Sequence, residues 1–433
     1  MQLFFVFFVF FYFFFMSFSW ALNMKSREYK NGLKVYVIEK FDSQKVALHL
    51  AYDVGSYREN KGEKGMAHLF EHMMFRGSSA YPDGFHMRRI QEMGGQSNAY
   101  TSNDLTVYTQ SFPAENLKEV LAMEADRMQN LIFDQSRLNK ERQVVLEEYR
   151  WRIENNPDGK LFYQARQKLF ANHPYQFGPI GKLDDIKNFS LDGLESFYKR
   201  YYSPRYAHLF VVGSVAAGDV FEAVDDLFSA IPAAPKLSDI NLNTAPEFID
   251  TTIEIPSPYE EPSVLWTLYL PPAQHEDYWP MQLIFRIIAG DDSALLQHAL
   301  TRQNTYATRF SAYPYFCKGR GLFYFMAFFK EEHREILNQT FYEVIESIRL
   351  NGFNEAELLK AKKQIKAEKV FSSYAVDQII SDFAYETLIR QRPNDYFSVI
   401  DQIESVDLNK LHEVYKRYFR SDNWLQINFT HPK

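Results

Sequence analysis

Two histidines and one glutamate in the first third of the chain have a spacing typical of a metal site. His68 and His72 are four residues apart, and Glu71 directly precedes His72. Residues four apart on a helix share a face, so both imidazoles can reach one cation. Glu71 lies on nearly the same face, where its carboxylate can take a proton from a metal-bound water and pass it to a leaving amine. The pattern therefore predicts metal-assisted hydrolysis, and a different metal enzyme built on the same helix is the alternative.

The segment that carries this motif is bounded by turn residues on both sides. Gly65 precedes it, and residues 75–78 follow it with the sequence Phe-Arg-Gly-Ser. A surface helix with two incidental histidines is the simpler interpretation, which this bounded context weakens. Catalytic zinc takes three protein ligands and keeps a fourth position open for water. A third ligand must therefore come from another part of the chain.

A second acidic segment follows at a distance that resembles a known family. Glu141 and Glu148 are seven residues apart, two turns along one face of a predicted helix. With the inverted His-x-x-Glu-His motif, this segment resembles the pitrilysin and mitochondrial-processing-peptidase family of zinc peptidases over residues 25–430. The resemblance implies one Zn²⁺ per chain, with Glu148 as third ligand beside His68 and His72, and Glu141 as a supporting acid. Glu147, a third of a turn from Glu148, is the alternative if the register differs by one residue.

Residues 94–108 resemble the strand that lies beside the metal in the same family. Taken alone, this stretch is a glycine turn followed by an ordinary strand. In the family, an extended substrate adds to the sheet edge through main-chain hydrogen bonds. The resemblance implies that Asn98 and Ala99 bind the peptide substrate, that Glu71 is the general base, and that the chain is an endopeptidase for extended or unfolded peptides.

The predicted elements place strands before helices. Strands are predicted at residues 34–38 and 46–54, and an alternating strand at 105–112. Charged residues 58–64 are predicted to form a loop. Helices are predicted at 115–131 and 136–154, ending before an Asn-Pro pair.

The chain repeats itself at a nearly constant interval. The tetrad Tyr-Lys-Arg-Tyr at residues 198–201 recurs at 415–418, and Phe133, Leu138 and Lys140 recur as a second trio, Phe353, Leu358 and Lys360. Repetition over separate segments predicts duplication of one domain. We expect an α+β fold with two homologous α/β-sandwich domains, each a mostly antiparallel sheet packed with helices, at residues 25–229 and 247–433, joined by a proline-containing linker at 230–246.

The second half differs from the first at the metal-binding positions. It has no His-x-x-Glu-His motif, and Ala361 stands where Glu141 would recur. In active members of this family, this half supplies an Arg and a Tyr, seven residues apart, that bind substrate and help to stabilise the oxyanion. In this chain Arg302 and Tyr306 are only four residues apart. The resemblance therefore implies a dimer, and we expect a heterodimer with a related zinc-less subunit that brings the pair. Three alternatives are open: action without that help, action with Arg302 and Tyr306 in an altered geometry, and a catalytically silent scaffold or peptide-binding subunit.

Composition narrows the classes of function. The formal net charge of -7 provides no basic surface for nucleic acid. The single cysteine, Cys317, permits no intramolecular disulfide and no multi-cysteine metal site. Residues 3–15 form an unbroken apolar run followed by Ser-Trp-Ala at 19–21, which predicts a signal peptide over residues 1–21, with an uncleaved membrane anchor as the alternative. The remainder is then expected to be periplasmic or secreted.

Overall fold

The computed structural model describes residues 24–244 and 252–431. In the first half a mixed sheet is flanked by helices. Its strands are β1 (Met24–Glu28), β2 (Lys34–Glu39), β3 (Val46–Tyr52), β4 (Gln96–Thr101), β5 (Thr106–Phe112) and β6 (Ala207–Gly213). Its helices are α1 (Met66–Met73), α2 (Phe85–Glu92), α3 (Leu117–Gln129), α4 (Gln135–Tyr149), α5 (Pro157–Leu169), α6 (Leu183–Lys187), α7 (Leu191–Tyr201) and α8 (Ala217–Phe228).

The second half has the same kind of construction. Its strands are β7 (Thr252–Pro256), β8 (Ser263–Leu270), β9 (Ala307–Tyr315), β10 (Gly321–Phe329) and β11 (Leu425–Thr430). Its helices are α9 (Tyr278–Ala289), α10 (Leu295–Gln297), α11 (Arg334–Asn351), α12 (Glu355–Ser372), α13 (Val376–Leu388), α14 (Val399–Ser405) and α15 (Leu408–Tyr418). A π-helical turn follows α4 at Arg150–Glu154, and another follows α10 at His298–Gln303.

The two sheets share one strand order. The first runs β1-β2-β6-β3-β5-β4 and the second β7-β11-β8-β10-β9. Without β1, each position in the first sheet has a counterpart in the second, including the one parallel pair, β2 with β6 and β7 with β11. All other neighbours are antiparallel. The predicted duplication and the α+β fold with mostly antiparallel sheets are confirmed.

The repeated tyrosine tetrad has the same structural role in both halves. Tyr198 on α7 donates a hydrogen bond to the carbonyl oxygen of Arg127 on α3 at 2.8 Å. Its counterpart on α15, Tyr415, donates to the carbonyl oxygen of Ile345 on α11 at 2.7 Å. Each buried hydroxyl therefore finds an acceptor while its ring fills the core, which explains why both copies contain tyrosine here.

Each half also covers the outer face of the other half's sheet. Helix α13 of the second half packs on the first sheet, where the Phe383 ring lies 5.6 Å from that of Phe210 and 5.9 Å from that of Tyr36. Helix α5 of the first half packs on the second sheet, with Leu161 and Leu169 in one buried cluster with its strands. The central strands of both sheets, β3 and β5 in the first and β8 and β10 in the second, are therefore buried on two faces.

Two predicted elements are present, and this packing buries more of them than their sequences suggest. The strand predicted to alternate at 105–112 is buried along almost its whole length, because both faces of the sheet are covered. The loop predicted at 58–64 is present after a short 3-10 turn at Ser56–Arg58, and within it Arg58 and Glu59 are buried. The other strands and helices fall within a few residues of their predicted limits.

The terminal and linking segments remain partly untested. The predicted signal peptide at 1–21 lies outside the described residues, and residues 229–244 form no helix or strand. The domain limits at 229 and 247 therefore stay predictions. Within the described residues, none of the helices combines the length and apolar character that a bilayer crossing requires.

The buried histidine of β3 makes stability depend on pH. His49 is 4% exposed, and burial, partly opposed by the charge of Asp377, lowers its pKa to about 4. An unfolded histidine takes a proton near its ordinary pKa of about 6.5, so between these values the unfolded state binds more protons and acid destabilises the fold. At about 1.4 kcal/mol per pKa unit, the loss approaches about 3 kcal/mol by pH 4. We expect the melting temperature of His49→Gln to fall less than that of wild type between pH 6.5 and 4. His298→Gln, which replaces an exposed histidine, is the control and should behave as wild type does. Equal losses in all three proteins would contradict this assignment.

Candidate metal centre

The residue before helix α1 has a backbone conformation that only glycine adopts readily. Gly65 has a φ of 102°, and a side chain there would meet Gly181 and Ile180. The buried Glu59 carboxylate accepts hydrogen bonds from the backbone N–H groups of Gly65 and Ala67, both at 2.9 Å. Helix starts have unsatisfied N–H groups and a positive dipole end, so a carboxylate there fixes the first turn. Burial nevertheless raises the pKa of Glu59 to about 8.

The three predicted ligands come together between α1 and α4. His68, His72 and Glu148 each offer one ligand atom, and these atoms all lie within 4.8 Å of one another. His68 Nε2 is 3.3 Å from Glu148 Oε2, and His72 Nε2 is 3.6 Å from Glu148 Oε1. The two imidazole rings are nearly perpendicular, with centroids 5.1 Å apart. Among the described residues this is the one cluster of its kind.

These separations fit a zinc ion. Ligands about 2.1 Å from a tetrahedral centre lie about 3.4 Å from one another, close to the two distances between imidazole nitrogen and carboxylate oxygen. Glu148 Oε2 is buried, and its nearest donors among the described residues, His68 Nε2 at 3.3 Å and an Arg152 nitrogen at 3.5 Å, do not form a hydrogen bond of good geometry with it. Buried carboxylate oxygens normally have a partner, so this oxygen is suited to a cation. The donor set of two imidazoles and one carboxylate is one that zinc favours over magnesium or calcium.

Glu141 contacts the nitrogen of His72 that faces away from Glu148. Its carboxylate is fully buried, 3.5 Å from His72 Nδ1 and 2.6 Å from Arg76 Nε. A carboxylate on the far nitrogen of a ligating histidine fixes the ring orientation and leaves the other nitrogen free for metal. Burial raises the pKa of Glu141, but hydrogen bonds and charges from His72 and Arg76 outweigh it, so the net pKa is lowered. The carboxylate is therefore ionised at neutral pH.

Glu148 is held in its charged form as well. The close contact with His68 lowers the pKa of Glu148 most; burial opposes this, and the charges of His68, His72 and Arg152 add to the lowering. Glu148 is near the end of α4, one residue before the final Tyr149 and just ahead of the π-helical turn. Its neighbour Glu147 points outward, 68% exposed, in an ion pair with Arg150. The geometry thus favours Glu148 over Glu147 as a ligand.

Glu71 is oriented by a residue that the sequence analysis missed. The Thr101 hydroxyl donates a hydrogen bond to Glu71 Oε2 at 2.7 Å. Thr101 ends strand β4, so the edge of the sheet fixes the carboxylate that we predicted as general base. The sequence did hold a clue to this contact, because Thr101 lies within residues 94–108, which resemble the strand beside the metal in the family. Arg76 was also missed, although it is four residues beyond His72 and so shares its helical face.

Strand β4 is an edge strand, as the β-augmentation hypothesis requires. It pairs with β5 on one side, with Asn98 opposite Thr109 and Ala99 opposite Tyr108. The Ala99 N–H donates to the side-chain oxygen of Asn98 at 2.9 Å. An incoming strand that uses this N–H must therefore displace the Asn98 side chain.

The two residues considered for the Arg/Tyr pair have other partners. Arg302 is exposed and forms an ion pair with Asp292 at 2.7 Å. Tyr306 packs its ring edge-on against His333, with centroids 5.8 Å apart. Thr305, between them, has a positive φ of 50°. Neither side chain is held by the other.

Comparison with known proteins gives consistent results for both halves. Residues 34–177 match the sequence model of the insulinase family, peptidase family M16, and residues 188–365 match that of the M16 inactive domain. The chain is 28% identical over 415 residues to the zinc protease PqqE of Helicobacter pylori, covering 90% of this chain and 89% of that protein.

Solved structures show the same architecture. A protease from Helicobacter pylori superposes with a TM-score of 0.85 at 25% identity, covering 94% of this chain and all of that one. A protein from Pseudomonas fluorescens described as a peptidase M16 inactive domain superposes with a TM-score of 0.83 at 18% identity, covering 95% of this chain and 98% of that one. The fold is therefore shared by a protein described as a protease and by one described as an inactive domain.

Proposed function

Because the chain belongs to peptidase family M16, we propose that it is a zinc metalloendopeptidase that hydrolyses extended or unfolded peptides. The observation that carries the proposal is the convergence of His68, His72 and Glu148, with their ligand atoms within 4.8 Å. Inactive members with the same fold make a silent scaffold the alternative. The retained ligand set, with its buried supporting carboxylate, favours the enzyme.

The residues have distinct roles in the proposed reaction. His68, His72 and Glu148 would hold zinc, which polarises the scissile carbonyl and lowers the pKa of water. Glu71 takes the proton of the attacking water and delivers it to the leaving amine. Thr101 fixes Glu71 through Oε2, and we assign the proton transfer to the other carboxylate oxygen, Oε1.

Substrate selection follows from the free edge of β4. A peptide in extended conformation pairs with β4 at Asn98 and Ala99 once the Asn98 side chain turns away from the Ala99 N–H. Folded proteins have few unpaired strands, so they are poor substrates. Main-chain pairing makes little use of side chains, which favours broad sequence tolerance.

The proposal extends to a partner and a compartment. Since Arg302 and Tyr306 are engaged with Asp292 and His333, we propose that a related zinc-less subunit brings the Arg/Tyr pair in a heterodimer. One oxyanion donor contributes about 3 kcal/mol, so the partner is expected to raise the rate by two to three decades. Full activity of the chain alone would exclude this part of the proposal. The apolar leader supports a periplasmic or secreted location.

Zinc analysis combined with a paired substrate tests the function. The purified chain is expected to contain zinc at one ion per chain, to lose both zinc and activity with a chelator, and to regain both on zinc addition. The substrate is one polypeptide supplied in unfolded and disulfide-stabilised folded forms, and only the unfolded form should be cut. Absence of stoichiometric zinc in a folded chain would support the scaffold alternative instead.

A further inference from the structure

The two equivalent hairpins of the duplicated halves meet at their turns. The β4–β5 turn is buried, with Asn103 1% and Asp104 3% exposed. The side-chain amide of Asn103 donates to the Tyr315 hydroxyl, and the backbone N–H of Lys318 donates to Asp104 Oδ2 at 3.1 Å. Tyr315 ends β9, and Lys318 lies in the β9–β10 turn. We call Asn103, Asp104, Tyr315 and Lys318 the turn clamp.

Charge strengthens this contact between the halves. The Lys318 ammonium, with 11% of its side chain exposed, forms an ion pair with Asp53 of the first half. Asp53 also accepts a hydrogen bond from the Tyr57 hydroxyl at 2.9 Å. The backbone N–H of Tyr57 in turn donates to the carbonyl oxygen of Asn103 at 3.0 Å. A partly buried and hydrogen-bonded ion pair of this kind favours one relative position of the groups that it joins.

The clamp lies next to the predicted general base. The β4–β5 turn begins directly after Thr101, whose hydroxyl holds Glu71. Because β4 pairs with β5 along one edge, the turn and this ladder set where the end of β4 lies. A displacement of the turn therefore moves the Thr101 hydroxyl relative to Glu71, and displacements near 1 Å reduce enzymatic rates by up to about 100-fold.

We propose that Tyr315 and Lys318 of the half without metal ligands are positioning residues, which set Glu71 through the β4–β5 turn and Thr101. The inference rests on the proposed function, because it assigns a role in proton transfer. It gives the second half a part in the reaction that involves neither metal nor substrate contact. Asp53 keeps Arg58 and Tyr57 as partners when Lys318 is replaced, so the fold is expected to survive.

Hydrogen exchange tests the link without reference to activity. In the full chain, the double variant Tyr315→Phe/Lys318→Met is expected to exchange the amides of residues 96–101 faster than wild type. Arg320→Met is the matched control, because Arg320 lies in the same turn region but its side chain contacts the carbonyl oxygen of Asn243 in the linker. Should the double variant fail to fold, Tyr315→Phe alone is compared. Unchanged exchange in β4 would overturn the inference whatever the activity of the chain.

Kinetics then separates positioning from general destabilisation. The double variant is expected to keep its zinc and KM while kcat falls by up to about 100-fold. Thr101→Val should cause a similar fall, and Thr101→Ser should restore the rate. Adding the clamp substitutions to Thr101→Val should lower kcat no further, since both act through one hydroxyl. Additive losses would overturn the inference but leave the proposed peptidase activity standing. A wild-type chain that binds zinc and cuts no peptide would count against the proposed function. In that case hydrogen exchange would still decide whether the clamp holds β4.

Discussion

Glu71→Gln is expected to bind zinc as wild type does while its kcat falls by about 10²- to 10⁴-fold. Glutamine keeps the size of the side chain and an oxygen that can accept the hydrogen bond of Thr101, so the fold and the metal ligands are preserved. It cannot accept a proton at neutral pH, so the transfer from water to the leaving amine is lost. The measurements are zinc content and steady-state hydrolysis of an unfolded peptide.

The control for this substitution is Glu147→Gln on helix α4. Glu147 is exposed and paired with Arg150, so its neutralisation removes one surface charge without reaching the cluster. Its rate and zinc content should match wild type. A Glu71→Gln protein that hydrolyses peptide at the wild-type rate would show that another group is the base.

Glu148→Gln is expected to lose zinc and, with it, activity. The amide removes the negative charge from the ligand that faces both His68 and His72 at 3.3 and 3.6 Å. Loss of a supporting contact typically weakens metal affinity by about 10- to 100-fold, and loss of a direct ligand should exceed this range. Added zinc should raise the melting temperature of wild type but not that of Glu148→Gln, because only binding to the folded state stabilises it.

The adjacent pair of glutamates makes this experiment a test of register. Glu147→Gln and Glu148→Gln change the same charge at neighbouring positions of one helix, so a difference between them reflects geometry alone. If Glu147→Gln were the variant that loses zinc, the ligand assignment would shift by one residue. Loss of zinc from both would indicate that the helix, rather than one carboxylate, had been disturbed.

The metal cluster could be predicted because its two histidines are close together in sequence and Glu148 lies at a fixed distance from them in the family. The ligand candidates His68 and His72 lie on one helix, and their spacing alone puts both on one face. Glu148 required the family resemblance, since no physical rule fixes which of many acidic residues packs against α1. The structure brings these three together as expected.

The supporting contacts could not be predicted from the sequence. The hydrogen bond from Thr101 to Glu71 and the contact of Arg76 with Glu141 join residues on different elements, and their distances depend on how those elements pack. The burial of Glu59 has the same origin: a charged residue in a charged segment reads as solvated until its two backbone partners are known. Such contacts follow from tertiary packing, which a pattern along one element does not encode.

The reciprocal packing of α5 and α13 also determines what a shortened form of this protein can be. A polypeptide ending near residue 244 would retain every metal-ligand candidate, yet it would present to water the sheet face that Phe383 and its helix normally cover. Large exposed apolar faces on a sheet promote association between chains. We therefore expect truncation to lead to aggregation, because the second half covers the first sheet even though none of the three metal-ligand candidates belongs to it.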